Sequence, residues 1–523
     1  MVFRHSSPWV TILPTFAILC FSVAGSVKSQ TLGSEFAVQG TSAGGEQYVG
    51  DVDMDPNGAF VVVWDRNDDD LRGVFGRLFT SPGWPVGDHF QINTTSDGYQ
   101  TSPDVAMDAA GRFMTVWYSN QPAGGPGFWI YNIFGRCYDN SGNPLGDEFL
   151  ISVPDSASQA VPSVTLARWE YLALWMYTRT LSKEVRGFRF DMGGSPIGSE
   201  FTLLQKEIGY PFYEPTVSGN PLGQYVLAFV DDDDNDPDDM HEIIRAKTGT
   251  LDGGPGPLID VSLYSGVSQW LGSVDMNGLG EFIVVWYMWD PDGLTDTDVY
   301  AQRFDPEGNP VGPRMLVNET TEDRQDNPDV VLNDNGDFVV VYESSGAGRE
   351  DIYARIYDAA AGDFLPELQI SHPSWDLHRR PMIATDGHGH YIIVYDRRVY
   401  DGMFWRRIVI SRPMEWRLTD PSAVGDDRPP SLTVELTQNY PNPFKPPTTI
   451  EYTLPQAMTV RIDVFDARGS LVKTIEQGHR SAGSHVVTWG GRDNNGTPVG
   501  SGTYFCRLVS DDQMLARKMI LIR

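Results

Sequence analysis

Residues 52–64, VDMDPNGAFVVVW, decide the fold. Apolar residues alternate up to a short polar turn, and a second apolar strand then ends on Trp64. In the turn, the Asp55 carboxylate can bond to backbone two residues on, and Gly58 takes a positive φ without steric cost. Together they close a β-hairpin. The pattern returns as VAMDAAGRFMTVW (105–117), VTLARWEYLALW (164–175), VSGNPLGQYVLAF (217–229), VDMNGLGEFIVVW (274–286), VVLNDNGDFVVVY (330–342) and IATDGHGHYIIVY (383–395). Asp55, Asp108, Asn220, Asn277, Asn333 and Asp386 each stand three residues before a Gly and nine before an aromatic. The copy at 164–175 is one residue shorter and still ends on Trp175.

Each interval between copies holds two further strands. The third reads as DVYAQRFD (298–305) or DIYARIYD (351–358), and carries an arginine at Arg77, Arg136, Arg189, Arg245, Arg303 and Arg355. Those arginines are expected to pair with blade carboxylates or stack on the second-strand aromatics. A second turn follows, as in YDNSGNPLGDEF (138–149) and FDMGGSPIGSEF (190–201), and leads into a fourth strand. A four-stranded meander repeated seven times predicts an all-β, seven-bladed β-propeller over 33–420, with six or eight blades as the alternatives. One such meander cannot bury both faces, whereas a ring of them can. GSEFAVQ (33–39) copies the fourth strand ahead of the first full repeat, so it is predicted to close the ring in the last blade.

The chain has 523 residues, 70 acidic and 39 basic, for a net charge of −31. That sign excludes nucleic acid and anionic lipid as partners, and it favours solubility, divalent cations and basic partners. Residues 1–24 read as a signal peptide: Arg4, an apolar run from Trp9 to Val23, then Ser22-Val23-Ala24 as the cleavage signal, with Ser29 as the alternative. No other stretch is long and apolar enough to span a membrane, so the mature chain is expected to carry no transmembrane segment and to be a monomer. Cys137 and Cys506 fall in separate domains and are not expected to pair.

Residues 421–434 form a charged, proline-rich linker, and 435–523 show the alternation of a small Ig-like sandwich of about seven strands. Here QNYPNPFKP (438–446), a Leu-Pro at 454–455, VFDARGSLV (464–472), AGSHVVTW (482–489), GRDNNGTPVGSGTYFCRL (491–508) and KMILIR (518–523) occur in order. This series resembles the C-terminal sorting domain of type IX secretion, which is related to flagellar hook-capping Ig-like domains. Lys445 and Gly490 depart from the family's usual Asn and Asp. The resemblance implies the type IX secretion machinery as a partner, passage across the outer membrane, and a chain released or attached at the cell surface. The propeller repeats also resemble an uncharacterised bacterial repeat, which carries no activity with it.

Three sets of residues are candidates for function. The loops between second and third strands are acidic and variable in length, and clustered carboxylates there suit calcium: Asp231, Asp233, Asp290, Asp292, Asp296 and Asp298. Asp51, Asp104 and Asp329 share one position of the innermost strand, with Ser163, Thr216, Ser273 and Met382 in the other blades. They are expected either to bind ligand at the channel mouth or to bond to neighbouring backbone. The third set is the arginines already named. No Ser-His-Asp constellation, phosphate loop or dinucleotide fingerprint occurs, so no catalytic residue is assigned. The expected function is an exported, non-enzymatic binding module for a glycan, peptide or protein. The alternatives are a secreted carbohydrate-active hydrolase or lyase using mouth carboxylates, and a structural component of the cell surface.

Overall fold

The computed structural model describes residues 27–522 except 40–45, 68–70, 82, 96–97, 123–128, 154–156, 180–181, 208–211, 233–241, 263–266, 290–295, 347–348, 373–375, 401–404, 420–434, 437–438, 440–441, 443, 455–457, 467–470, 481–482, 495 and 511–513. The expected signal peptide and linker lie outside these residues. The alternative cleavage after Ser29 falls inside a described strand, Val27–Leu32. The chain divides into two compact units, one spanning Ser29–Arg417 and the other holding Leu418–Arg523.

The first unit is a propeller of seven antiparallel blades. In blade 1 the strands are Gln47–Met54, Phe60–Arg66, Gly73–Thr80 and Trp84–Gln91, in that order from axis to rim. Innermost strands of the other blades begin at Gln100, Ser158, Phe212, Gln269, Arg324 and Leu377. The Asx turns form as the chemistry requires: Asp55 Oδ1 accepts the N–H of Asn57 at 2.8 Å and of Ala59 at 3.0 Å, and Gly58 sits at φ 78°. Second strands such as Phe60–Arg66 read as unbroken apolar runs because both faces are covered, one by each neighbouring blade. The aromatic that ends each one, from Trp64 to Tyr395, is buried between blades.

Blade 7 takes its rim from the other end of the chain. Val27–Leu32 and Phe36–Ala37 both pair with Trp405–Thr419, with Phe36 opposite Ser411. Glu35 repeats there what the fourth-strand glutamates do elsewhere. Glu148 accepts the N–H groups of Thr94 and Thr95, Glu200 that of Val153, and Glu367 that of Glu319, each from the loop leaving the preceding blade. Glu35 accepts the His372 N–H at 2.5 Å in the same way.

The second unit is a sandwich of a three-stranded and a four-stranded antiparallel sheet. Its core gathers Phe444, Tyr452, Ile462, Trp489, Cys506 and Met519. The Tyr504 hydroxyl donates to the Gly500 carbonyl at 2.7 Å. Lys445 and Gly490 are exposed, so the two departures from the sorting-domain pattern touch no core position. Cys137 and Cys506 are free, buried thiols in separate units. Among the described residues no helix is long and apolar enough to cross a membrane.

Candidate functional site

The innermost strands line the channel. Asp51, Asp104 and Asp329 occupy one tier, opposite Val63, Val116 and Val341. Their carboxylates reach sideways to the next blade: Asp51 accepts the Val105 N–H at 3.1 Å, Asp104 the Val164 N–H at 3.1 Å, and Asp329 the Ile383 N–H at 2.8 Å. One tier along, Asp53 and Asp275 accept from Met107 and Leu332. These acids tie blade to blade. They are half-buried where they line the channel, and desolvation by the packed strands favours their acid forms. It pushes Asp53 and Asp329 up to about 7 and Asp275 to about 6. Asp51 and Asp104 are brought into direct hydrogen-bond contact, and both are raised, first by burial.

The two ends of the channel differ. One is ringed by the Asx turns. At the other, where the loops between second and third strands emerge, every innermost strand carries a bulge. Five blades place a non-glycine residue at positive φ immediately before a proline: Ser102, Val161, Glu214, Asn327 and Arg380, with φ between 48° and 53°. Blades 1 and 5 use a glycine instead. A Cβ on Gly50 would meet Pro103 Cγ at 2.5 Å, and one on Gly272 would meet Pro328 Cγ at 2.5 Å. In the five blades with a positive φ the bulge carries backbone strain.

Three consecutive blades add a buried acid beside these bulges. Glu343, Asp396 and Asp65 each follow the second-strand aromatic, and each accepts a bulge N–H from the next blade. The donors are Arg380 at 2.7 Å, Val49 at 2.7 Å and Ser102 at 3.2 Å. In blades 2 to 5 the same position holds Tyr118, Met176, Val230 and Tyr287. Burial pushes Glu343 up to about 7 and Asp396 to about 6, and raises Asp65. Arginines stand among them. The Arg380 guanidinium lies 3.5 Å from Asp396, Arg407 3.8 Å from Asp396, and Arg72 3.5 Å from Asp65. One oxygen of Asp396 and one of Asp65 accept no hydrogen bond.

Beside blade 6, blade 5 presents aromatic surface. Trp270 stacks on Tyr287 with centroids 5.2 Å apart, and meets Trp289 edge-on at 6.2 Å. All three are half-buried. Tyr118 and Tyr131 make a second edge-on pair on blade 2, at 5.6 Å.

The acidic-loop residues are not gathered by the described structure. Asp231 is buried at the end of a second strand, paired with Lys206 and Arg245. Asp298 lies in the third strand of blade 5 and accepts from Asn318 at 2.6 Å. Asp296 is half-buried just before that strand. Asp233, Asp290 and Asp292 lie outside the described residues. Among the described residues no three acidic, His or Cys side chains are arranged to hold a metal ion.

The third-strand arginines need a correction. Arg77, Arg136 and Arg355 share a register position, and they cap backbone carbonyls of the preceding blade: Val38 at 2.7 Å, Ile92 at 3.0 Å and Val317 at 2.9 Å. By strand pairing the equivalent residues elsewhere are Phe188, Lys247, Gln302 and Arg412. Arg189, Arg245 and Arg303 sit one or two residues out of register. Arg189, Arg245 and Arg355 do pair with carboxylates, Glu170, Asp231 and Glu319.

Two repeated features went unread in the sequence. A buried Gln or His stands four residues before the axial position, at Gln47, Gln100, Gln159, Gln269, Gln325 and His378. The second is the acid that follows the aromatic in VYE (341–343) and VYD (394–396), whose counterpart Asp65 opens an acidic loop between second and third strands.

Residues 445–513 match the FlgD Ig-like domain. No curated protein matches the chain. Among solved structures the chain is similar to a protein of unknown function from Dyadobacter fermentans DSM 18053, at 11% identity and TM-score 0.46 over 76% of this chain and 100% of that one. It is also similar to an α-L-arabinanase of Penicillium chrysogenum (16%, TM-score 0.42, 59% and 92%) and to a PL25 ulvan lyase (7%, TM-score 0.46, 72% and 95%). These likenesses concern architecture alone, and no residue role is carried over from them.

Proposed function

We propose that this chain is an exported glycan-binding propeller that takes its ligand at the bulged mouth. The observation that carries the reading is the asymmetry of that mouth. Blade 5 offers the partly exposed faces of Trp270, Tyr287 and Trp289, while blades 6, 7 and 1 offer buried acids and arginines. Aromatic faces suit the apolar faces of sugar rings, and fixed polar groups orient their hydroxyls. A glycan array probed with the full chain is the test. Binding that Trp270→Ala abolishes at unchanged melting temperature supports the reading, and no binding to any glycan overturns it.

Export rests on the resemblance of 435–523 to the sorting domain, supported by the Ig-like match. In a host with type IX secretion, removing those residues is expected to trap the chain in the periplasm. Surface delivery of the truncated chain would refute it.

Catalysis is a second reading, favoured by one observation. Glu343 and Asp396 are buried carboxyls at the mouth, and burial raises both, to about 7 and about 6, into the range in which a general acid works. Turnover of a polysaccharide that Glu343→Gln abolishes would establish it.

A further inference from the structure

The mouth has a second unusual property, which is charge of the wrong sign for this chain. Arg-Arg doublets occur three times in the sequence, at 379–380, 397–398 and 406–407, and all three lie in blade 7. In a strand, adjacent residues point to opposite faces. One member of a doublet can therefore serve the blade while the other faces the mouth. Arg379 pairs with Glu350 at 2.6 Å, and Arg397 with Asp376 at 2.7 Å. Arg380 and Arg407 turn instead to Tyr48 of blade 1, where Arg72 joins them. The three guanidinium carbons lie 4.9, 4.7 and 4.2 Å from the centre of that one ring. The Tyr48 hydroxyl donates to Glu46 at 2.7 Å, which orients the ring.

The acids beside these arginines do not saturate them. Asp396 and Asp65 approach at 3.5–3.8 Å, longer than the 2.7–2.9 Å of a charge-assisted hydrogen bond. Three guanidinium groups gather here, with Asp396 and Asp65 at ion-pair distance and Glu46 on the Tyr48 hydroxyl, in a chain whose net charge is −31. A small cleft lined by Leu377, Arg379, Asp396, Arg398 and Arg407 opens next to the ring.

We infer that the ligand is an anionic glycan, whose carboxylate or sulfate groups are held by Arg72, Arg380 and Arg407 around Tyr48. Planar guanidinium forks match both groups bidentately. The acidic remainder of the surface then repels polyanions everywhere except at this mouth, which sharpens selection. The inference rests on the glycan reading above and names its ligand class.

The test is titration of the full chain with a panel of defined oligosaccharides. Galacturonate and alginate oligomers carry carboxylates, carrageenan oligomers carry sulfates, and arabinan, xylan and dextran are neutral. Binding of an anionic member is expected, at least tenfold weaker in Arg380→Met/Arg407→Met and weaker in higher salt. Arg380→Lys, which keeps the charge and loses the fork, is expected to fall between, with a melting temperature near the parent's. Carboxylated ligands alone, sulfated ligands alone, or both would each support the inference and tell the two groups apart. Binding of neutral glycans alone, sensitive to Trp270→Ala, would leave the glycan reading standing and overturn this one. Anionic binding indifferent to the arginine variants would also overturn it, and no binding at all would remove both.

Discussion

The carboxylate of Asp396 accepts a 2.7 Å hydrogen bond from the backbone N–H of Val49, 347 positions away in the chain. That bond crosses the join between the last blade and the first. Glu343 makes the equivalent bond from blade 6 to blade 7, and Asp65 from blade 1 to blade 2. The join is therefore built like the other contacts on that side of the ring, and the buried mouth acids are its fastenings.

Replacing Asp396 separates its two roles. Asp396→Ala leaves the Val49 N–H without its acceptor and two guanidinium groups without their neighbouring carboxylate, and is expected to cost about 2–4 kcal/mol. Asp396→Asn keeps an acceptor and is expected to cost less than half of that. Urea unfolding measures both, and equal losses would contradict the hydrogen-bond account.

Stability should fall as pH rises from about 5 to 8. Asp53, Asp275, Asp329 and Glu343 hold their protons up to about 6 or 7 when folded, against about 4 when unfolded. The folded chain binds more protons in that window, so the stability these groups contribute is full below about pH 4 and is lost through pH 6 to 7. Carboxyls held low, such as Asp191 with its Ser195 and Gly193 N–H donors, matter only at more acid pH. Melting curves from pH 5 to 8 test this, and Asp53→Asn/Asp329→Asn should flatten the slope. A melting temperature that climbs across the window contradicts it.

Asp231 is an ion-pair partner of Lys206 and Arg245 in the described structure. Asp231→Asn is expected to destabilise by about 2–4 kcal/mol, equally with added calcium and with chelator. A loss seen only in calcium would return Asp231 to the role of a cation ligand.

Deleting residues 27–39 removes the rim of blade 7 and bares the Trp405–Thr419 edge. A melting temperature lower by roughly 10 °C or more and concentration-dependent association are expected. An unchanged monomer would show that closure adds nothing.

In the C-terminal sandwich, Tyr504→Phe removes the bond to Gly500 and should cost about 1 kcal/mol. Trp489→Ala, at the core, should cost about 3–5 kcal/mol. Chemical denaturation read from the sandwich's own signals distinguishes them.

The blades were legible because Asx–Gly turns and second-strand aromatics serve the same purpose in each, so they repeat. GSEFAVQ was legible as the closing strand for the same reason. The arginine set misled because Arg189, Arg245 and Arg303 match Arg77 by eye but pair with the second strand one or two places away from its register. The mouth was hidden for the opposite reason to the blades. Binding surfaces lie where repeats differ, and comparing copies averages Asp65, Glu343 and Asp396 away against Tyr118, Met176, Val230 and Tyr287. The bulge side chains share no common chemistry, and the equivalence of Val161 and Arg380 shows in the sequence only through the proline that follows each.

The rim of blade 7 also sets an order of events. Phe36 and Ser411 must meet before the last sheet exists, so a chain delivered from its N-terminus must wait for nearly the whole propeller to arrive. Until then blades 1 to 6 stack as an open arc, with Gln47 and Val49 lacking the partners they find in blade 7. Assembly is thus timed by the arrival of Trp405–Thr419 on the same side as the waiting N-terminal strand.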